Sequence, residues 1–414
     1  MQLLTQYFPP EPYPQTLWLA ETLRSEGFAV RVSTSVPNYP SGRVLPGYRS
    51  HQREKEVISG FPVTRVPVYP SHDRQALGRV LNYGSFGLST FARNGRALST
   101  ADVVVVWATP ATAALPALAA KRLSGTPYIL YVQDLWPDSI FASGFLEKPA
   151  VRRSAEVCLH PLLTALYGNA SHVAAITPGM ERELIARGVP SDKCSHIFNW
   201  VDEDVLSPGP SNHYLKKALN LPSKAFVVAF AGNLGAAQGL AAWIVAMASL
   251  PPDCDIHLVF VGDGSERSRL QQQALDLGVR NVHFHSSVPM GEVADVLSDA
   301  DCLAISLADQ ALFRITMPSK VQACLSLGKP VVAAVAGNTR DVLKEADAGW
   351  LADPEDPLSI VRAIRESHSV STVERNRRGR AGRLFYEQHM SKQVAGNALA
   401  NLVLNAVNLG GERS

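Results

Sequence analysis

Hydrophobic residues along this chain gather in short unbroken runs rather than in strict alternation. In the C-terminal half the runs fall at 226–231, 256–261, 281–284, 302–306 and 330–335, rich in Val, Ile, Leu and Phe. Helix-like stretches separate them at 240–250, 266–277, 290–298, 320–327 and 339–346. A strand with no polar face must be covered on both sides, so this alternation predicts a parallel sheet between two helical layers. The N-terminal half repeats the scheme, with strands at 3–6, 29–34, 63–66, 103–107, 128–132 and 173–176 and helices at 14–26, 113–123 and 179–187. The fold class is therefore α/β: two Rossmann-like, doubly wound domains, 1–205 and 206–391, facing a central cleft. A linker is expected at 208–211, and ligands beyond the carboxyl ends of the strands.

The apolar run VVVVWATPATAALPALAA (103–120) carries no charge, but Pro110 and Pro116 break any single helix across it. A buried strand, a loop and a helix fit it better than a membrane span. The N-terminus shows neither the basic region nor the apolar stretch of a signal peptide. Cys158, Cys194, Cys254, Cys302 and Cys324 are odd in number and dispersed, as expected of reduced thiols in a cytoplasmic protein.

Composition changes this picture little. Of 414 residues 46% are hydrophobic and 18% charged, which excludes a disordered chain, and a net charge of +2 excludes nucleic-acid wrapping by a global basic surface. The near-balance hides a local excess, because 43–96 holds nine Lys+Arg and three Asp+Glu. Within it, 76–98 mixes Leu77, Val80, Leu81, Tyr83, Phe86, Leu88 and Phe91 with Arg79, Arg93 and Arg96. Such a helix can pack on a sheet or make peripheral contact with an anionic membrane face.

Three segments carry candidate chemistry. Ala231-Gly232-Asn233-Leu234-Gly235-Ala236-Ala237-Gln238-Gly239-Leu240 follows the first strand of the second domain, where glycines let main-chain N–H groups approach an anion. It is not the GxGxxG pattern of dinucleotide binding. Gly262-Asp263-Gly264 follows the next strand and would border the same site. Pro318-Ser319-Lys320 opens a helix, with Arg314 close by, so that Arg314 and Lys320 can neutralise a diphosphate. Asp202-Glu203-Asp204, Asp253-Cys254-Asp255 and Asp299-Ala300-Asp301 read as charged turns, and the histidines lack ligand spacing, so no metal and no cofactor are expected.

Taken in order, LTQYFPPE (4–11), PNYPSG (37–42), YVQDLWPDS (131–139), ITPGM (176–180), NWVD (199–202), AGNLGAAQGL (231–240), VGDG (261–264), FRITMPSK (313–320) and LGKPVVA (327–333) resemble the family 4 glycosyltransferases of GT-B fold. The resemblance is to their WbuB/WcaI-like branch, which builds bacterial surface polysaccharides. It implies a retaining hexosyl- or N-acetylaminosugar transferase that moves sugar from a nucleotide-diphosphate donor, UDP-sugar favoured, to a lipid-linked saccharide on the cytoplasmic membrane face. It also implies that the helix near 392–407 packs back on the N-terminal domain. Carried over by position, Asn233, Gly235, Gln238, Gly239, Gly262, Asp263, Gly264, Pro318 and Ser319 bind the donor. Asp134, Lys320 and Arg314 are the catalytic candidates, and Gln6, Tyr7, Tyr39 and Asn199 line the acceptor side. Two departures stand out: Ile315 and Ala323 occupy the positions of the family's Glu pair, and Gln133-Asp134 replaces His-Asp. They leave two alternatives, a nucleotide-sugar 2-epimerase of the same fold and a non-catalytic nucleotide-sugar-binding homologue.

Overall fold

The computed structural model describes residues 1–71, 76–142, 149–210, 213–251 and 254–411. Ser211 of the expected linker, Asp253 of one Asp-x-Asp triplet and part of the 43–96 basic segment lie outside the described residues, as does the side chain of Leu77. The chain divides into two compact units, Met1–Phe198 with Ala395–Ser414, and Asn199–Val394.

The first unit is built on an eight-stranded sheet of β1 (Gln2–Leu4), β2 (Arg31–Ser35), β3 (Glu54–Ile58), β4 (Phe61–Val66), β5 (Val104–Ala108), β6 (Tyr128–Val132), β7 (His172–Ala175) and β8 (Cys194–His196). Its order is β3-β4-β2-β1-β5-β6-β7-β8, parallel throughout except for the β3/β4 hairpin. β5 and β6 are buried at every position, which explains their unbroken apolar runs. Around the sheet lie α1 (Gln15–Ser25), α2 (Ala76–Ser99), α3 (Leu115–Ser124), α4 (Asp138–Ala142), α5 (Pro149–Asn169) and α6 (Pro178–Ala186). β3 was not anticipated: its sequence, EKEVI, is half charged and sits at the sheet edge, where one side faces water. β1 is shorter than expected, because Gln6 has left the strand and its carbonyl accepts the Thr34 and Ser35 hydroxyls.

In the second unit the strands are β9 (Phe226–Ala231), β10 (Ile256–Val261), β11 (Val282–His285), β12 (Cys302–Ser306), β13 (Val331–Ala334) and β14 (Gly349–Ala352). They form an all-parallel sheet in the order β11-β10-β9-β12-β13-β14. The helices are α7 (Tyr214–Ala218), α8 (Ala241–Ala248), α9 (Arg267–Asp276), α10 (Val293–Leu297), α11 (Ala311–Ile315), α12 (Lys320–Ser326), α13 (Gly337–Glu345), α14 (Pro357–Ser369) and α15 (Thr372–His389). Trp243, Phe230, Phe260 and Ile360 fill the core under α8 and α14. The segment after Phe198 is held within this unit: Val201 N–H donates to the Tyr386 hydroxyl, and Glu203 accepts from that hydroxyl and from Lys392 N–H. The last helix, α16 (Lys392–Gly411), clusters with the first unit from Ala395 onward, and Gly396 lets it closely approach Thr22 of α1 and Glu26 just beyond its end.

Both sheets reverse their winding once, between β1 and β5 in one unit and between β9 and β12 in the other. Loops leaving the strands on either side of a reversal diverge and open a crevice at the carboxyl edge. The candidate residues of each unit lie there.

Candidate functional site

In the second unit the loop after β9 and the loop after β10 run side by side. Gly232 N–H donates to the Val261 carbonyl at 2.9 Å, and Leu234 N–H to that of Asp263 at 2.8 Å. The contact requires glycine: Gly262 has φ +144°, and a Cβ there would overlap the Gly232 carbonyl. Arg267 of α9 extends the cluster by donating to the carbonyls of Gly262 and His285, at the end of β11. Asp263 is exposed, and its carboxylate accepts from Gly264 N–H.

Lys320, at the start of α12, turns into this cluster. Its Nζ donates to Gln238 Oε1 at 3.1 Å and lies 3.1 Å from the centroid of the Phe230 ring. Among the described residues no carboxylate pairs with it. Burial therefore pulls the ammonium down from its usual range to about 7, opposed only by the Cys324 thiol. Gln238 is held from behind, because Ser306 Oγ donates to its carbonyl and in turn accepts from Trp243 Nε1. Ala308 N–H donates to Ala237 O, and Asp309 N–H to Glu355 Oε2 at 3.0 Å. A partly buried cation with no carboxylate partner among the described residues, beside glycine-rich main chain, suits an anion with several oxygens.

Asn233, Gly235, Gln238, Gly239, Gly262, Asp263, Gly264 and Lys320 thus lie on two adjoining loops and one helix start, with Pro318 and Ser319 in the turn leading into α12. Arg314 is placed differently: it is exposed on α11, and its guanidinium makes two bonds to Asp309, at 2.8 and 2.6 Å. Ile315 and Ala323 are partly buried, while Gln322 is buried with its amide donating to the Pro318 and Ser319 carbonyls, so it offers no ribose contact in this arrangement. Asn199 is the first residue of this unit. Glu355 was missed in the sequence. It has φ +57° and reaches Gly239 from the far side of the sheet edge.

In the first unit aromatic rings collect where β1, β2, β5 and β6 end. Tyr7 lies 5.6 Å from Tyr13 and 5.2 Å from Tyr39, and Tyr13 lies 6.2 Å from Trp107, whose Nε1 donates to the Tyr13 hydroxyl. Tyr83 of α2 pairs with the Tyr7 hydroxyl and stacks near Trp136. Gln6 is fully buried and donates to Asn82, which donates to Asn38 and to the Tyr69 carbonyl. Asp134 follows β6, and Tyr13 and Tyr83 both feel its charge. Burial raises its carboxyl above the usual carboxylate range, against the neighbouring Thr109 hydroxyl. It caps no helix, since α4 begins at Asp138. Gln6, Tyr7, Tyr39 and Asp134 are therefore neighbours; Tyr13, Tyr83 and Trp107 join them without a sequence signal beyond being aromatic.

Residues 13–200 match the family described as Glycosyl transferase 4-like domain, and 213–384 match Glycosyl transferases group 1. The colanic acid biosynthesis glycosyl transferase WcaI of Escherichia coli is 26% identical over 362 residues, covering 84% of this chain and 86% of its own. The glycosyltransferase WbjE of Pseudomonas aeruginosa is 24% identical over 317 residues, covering 75% of each chain. Among solved structures, Anabaena Alr3699/HepE in complex with UDP and glucose superposes with a TM-score of 0.69 at 18% identity, over 97% of this chain and 98% of that one. WaaG, a glycosyltransferase involved in lipopolysaccharide biosynthesis, superposes with a TM-score of 0.63 at 18% identity over the same shares.

Proposed function

Because the chain is a glycosyltransferase of GT-B fold, with a glycosyl transferase 4-like domain in its first half and a group 1 domain in its second, we propose that it transfers a sugar from a nucleotide-diphosphate donor during the synthesis of a surface polysaccharide or lipopolysaccharide. The names of WcaI and WaaG support the pathway class, that of WbjE supports glycosyl transfer, and the UDP and glucose held by HepE support a UDP-sugar donor.

The observation that carries the reading is Lys320. A partly buried lysine with no carboxylate beside it among the described residues is unfavourable until an anion arrives, and the leaving group of a nucleotide sugar is such an anion. In the proposed reaction the bond between the anomeric carbon and the diphosphate oxygen breaks, the nucleoside diphosphate leaves with the electron pair, and the acceptor oxygen bonds to that carbon on the same face, retaining its configuration. Lys320 and the N–H groups of Asn233 and Gly235, which donate to nothing among the described hydrogen bonds, meet the charge that develops on that oxygen. Arg314 joins by exchanging Asp309 for a phosphate. Asp134, made more basic by burial, takes the proton from the acceptor hydroxyl. The reaction requires no metal, which activity in excess EDTA tests.

The acceptor is proposed to be lipid-linked. α2 supports a peripheral membrane contact: Val80, Leu88 and Phe91 are exposed at helical spacing, Arg93 and Arg96 are exposed toward the helix end, and Asn82, Phe86 and Thr90 face inward. No helix of the described residues is long and apolar enough to cross a membrane.

The test is a thermal-shift screen against UDP-, GDP- and dTDP-sugars, followed by transfer to lipid-linked saccharides. A stabilising UDP-sugar whose sugar appears in the product is the expected result. Absence of a shift with every nucleotide sugar removes the proposal. Asp134→Asn should leave donor affinity unchanged and depress turnover; unaltered turnover makes Asp134 structural.

A further inference from the structure

Glu11 is a carboxylate in a loop, yet only 3% of it is exposed. One oxygen accepts Asn38 N–H and Tyr39 N–H, both at 2.8 Å, and the other accepts Phe8 N–H at 3.1 Å. Phe8 belongs to the loop leaving β1, and Asn38 and Tyr39 to the loop leaving β2. One side chain therefore fastens two crossover loops that share no covalent neighbour. Arg65 of β4 backs the same junction. It donates to the carbonyls of Ser35 and Pro9 and to the carboxylate of Glu56, and packs 5.1 Å from the Tyr48 ring. Arg65 and Tyr7 are the ionisable groups whose charge bears on Glu11.

These loops carry Tyr7, Tyr13 and Tyr39, whose ring centroids lie 5.2–6.3 Å apart. Tyr13 and Tyr39 are partly exposed, with the buried Tyr7 behind them. Two rings on separate loops present one surface only if the loops are held in register. Glu11 joins Tyr39's own main chain to the β1 loop.

We infer that Glu11 is a positioning residue for saccharide recognition: by tying the two loops it presents Tyr13 and Tyr39, over Tyr7, as one aromatic surface on which a pyranose ring of the acceptor packs. The inference rests on the proposed acceptor role of the first unit. Glu11 touches no reacting atom. It acts through Tyr39, as an outer hydrogen-bonding residue orients one that meets the ligand.

Glu11→Ala, Glu11→Gln and Tyr39→Leu, alone and with Glu11→Ala, test it in the full-length enzyme with a UDP-sugar and a lipid-linked saccharide. Glu11→Ala is expected to raise the acceptor KM ~10-fold or more, with kcat and calorimetric donor affinity nearly unchanged. Glu11→Gln keeps an oxygen for the Asn38 and Tyr39 amides and is expected to restore most of that loss. The double variant should be no worse than the poorer single one, because both changes remove the same surface. Unchanged acceptor KM in Glu11→Ala, additive losses in the double variant, or a parallel fall in donor affinity overturns the inference. If the wild type uses no acceptor, the functional proposal fails by itself, and the near-UV tyrosine circular dichroism decides for Glu11. A band weakened in Glu11→Ala and recovered in Glu11→Gln supports the bracing; an unaltered band overturns it.

Discussion

Lys320, partly buried, and Glu11, buried, are both ionisable groups under loops at the carboxyl edge of a sheet, and they are treated in opposite ways. Glu11 receives three main-chain N–H donors and the field of Arg65, whereas Lys320 has one neutral amide and an aromatic face. The carboxylate is satisfied by its own protein and holds loops in place. The ammonium is left incomplete, and its completion must come from outside. A group's burial thus says little about its role until its partners are counted.

The most disruptive way to challenge this contrast is Gly262→Ala. Its Cβ would meet the Gly232 carbonyl at a backbone angle that non-glycine residues rarely adopt, so the loops after β9 and β10 must separate. A loss of about 2–4 kcal/mol in denaturant-induced unfolding is expected, with donor affinity falling as well. Stability within 0.5 kcal/mol of the wild type, on the scale of ordinary surface changes, would mean that the close loop approach is dispensable.

Next in size is Lys320→Met, expected to cost about 1.5–3 kcal/mol of donor affinity by calorimetry. The same change should stabilise the donor-free protein. The folded Lys320 titrates near 7 and the unfolded one near 10.5, so the folded state binds fewer protons between those values. Stability contributed by this group is therefore lowest below pH 7 and recovers as pH rises toward 10.5. The advantage of Lys320→Met should be greatest at or below pH 7 and shrink above it. A variant less stable than the wild type at pH 6 would show that Lys320 braces the empty fold.

Glu11→Gln sharpens the comparison from the other side. The folded carboxyl titrates near 7 against 4.5 unfolded, because burial outweighs its hydrogen bonds. The folded state then holds the extra proton, and stability contributed by Glu11 falls as pH climbs from about 4.5 to 7. The melting temperature of Glu11→Gln relative to the wild type should rise across that window and level off above it. A flat difference would mean that the ionised form is fully accommodated.

Leu88→Glu and Phe91→Glu touch neither region and should have the smallest effect on both. Their expected result is weakened sedimentation with anionic vesicles at low salt, with donor affinity unaltered. Equal vesicle binding would detach α2 from the membrane proposal.

Much of the loop arrangement around Lys320 was legible because it is local. Glycines where loops cross, and Pro-Ser-Lys at a helix start, follow from main-chain geometry and leave marks a few residues long. The unbroken runs of β5, β6, β12 and β13 were legible for the same reason. What escaped depends on distance along the chain. Glu355 reaches Gly239 only because β14 and β9 share a sheet, and Arg314 is claimed by Asp309, which the motif containing Arg314 does not include. Tyr13, Tyr83 and Trp107 come from a loop, a helix and a strand, so no spacing announces them. β3 was lost because a charged edge strand imitates a loop.

The incompleteness of Lys320 has a consequence for bookkeeping of protons. At neutral pH the empty enzyme holds this amine only partly protonated, while a bound diphosphate would restore its full charge. Every donor molecule captured then draws part of a proton from solution, and every nucleotide released gives it back. Donor affinity should weaken as the surroundings turn alkaline, and the heat of binding should vary with the buffer that supplies the proton.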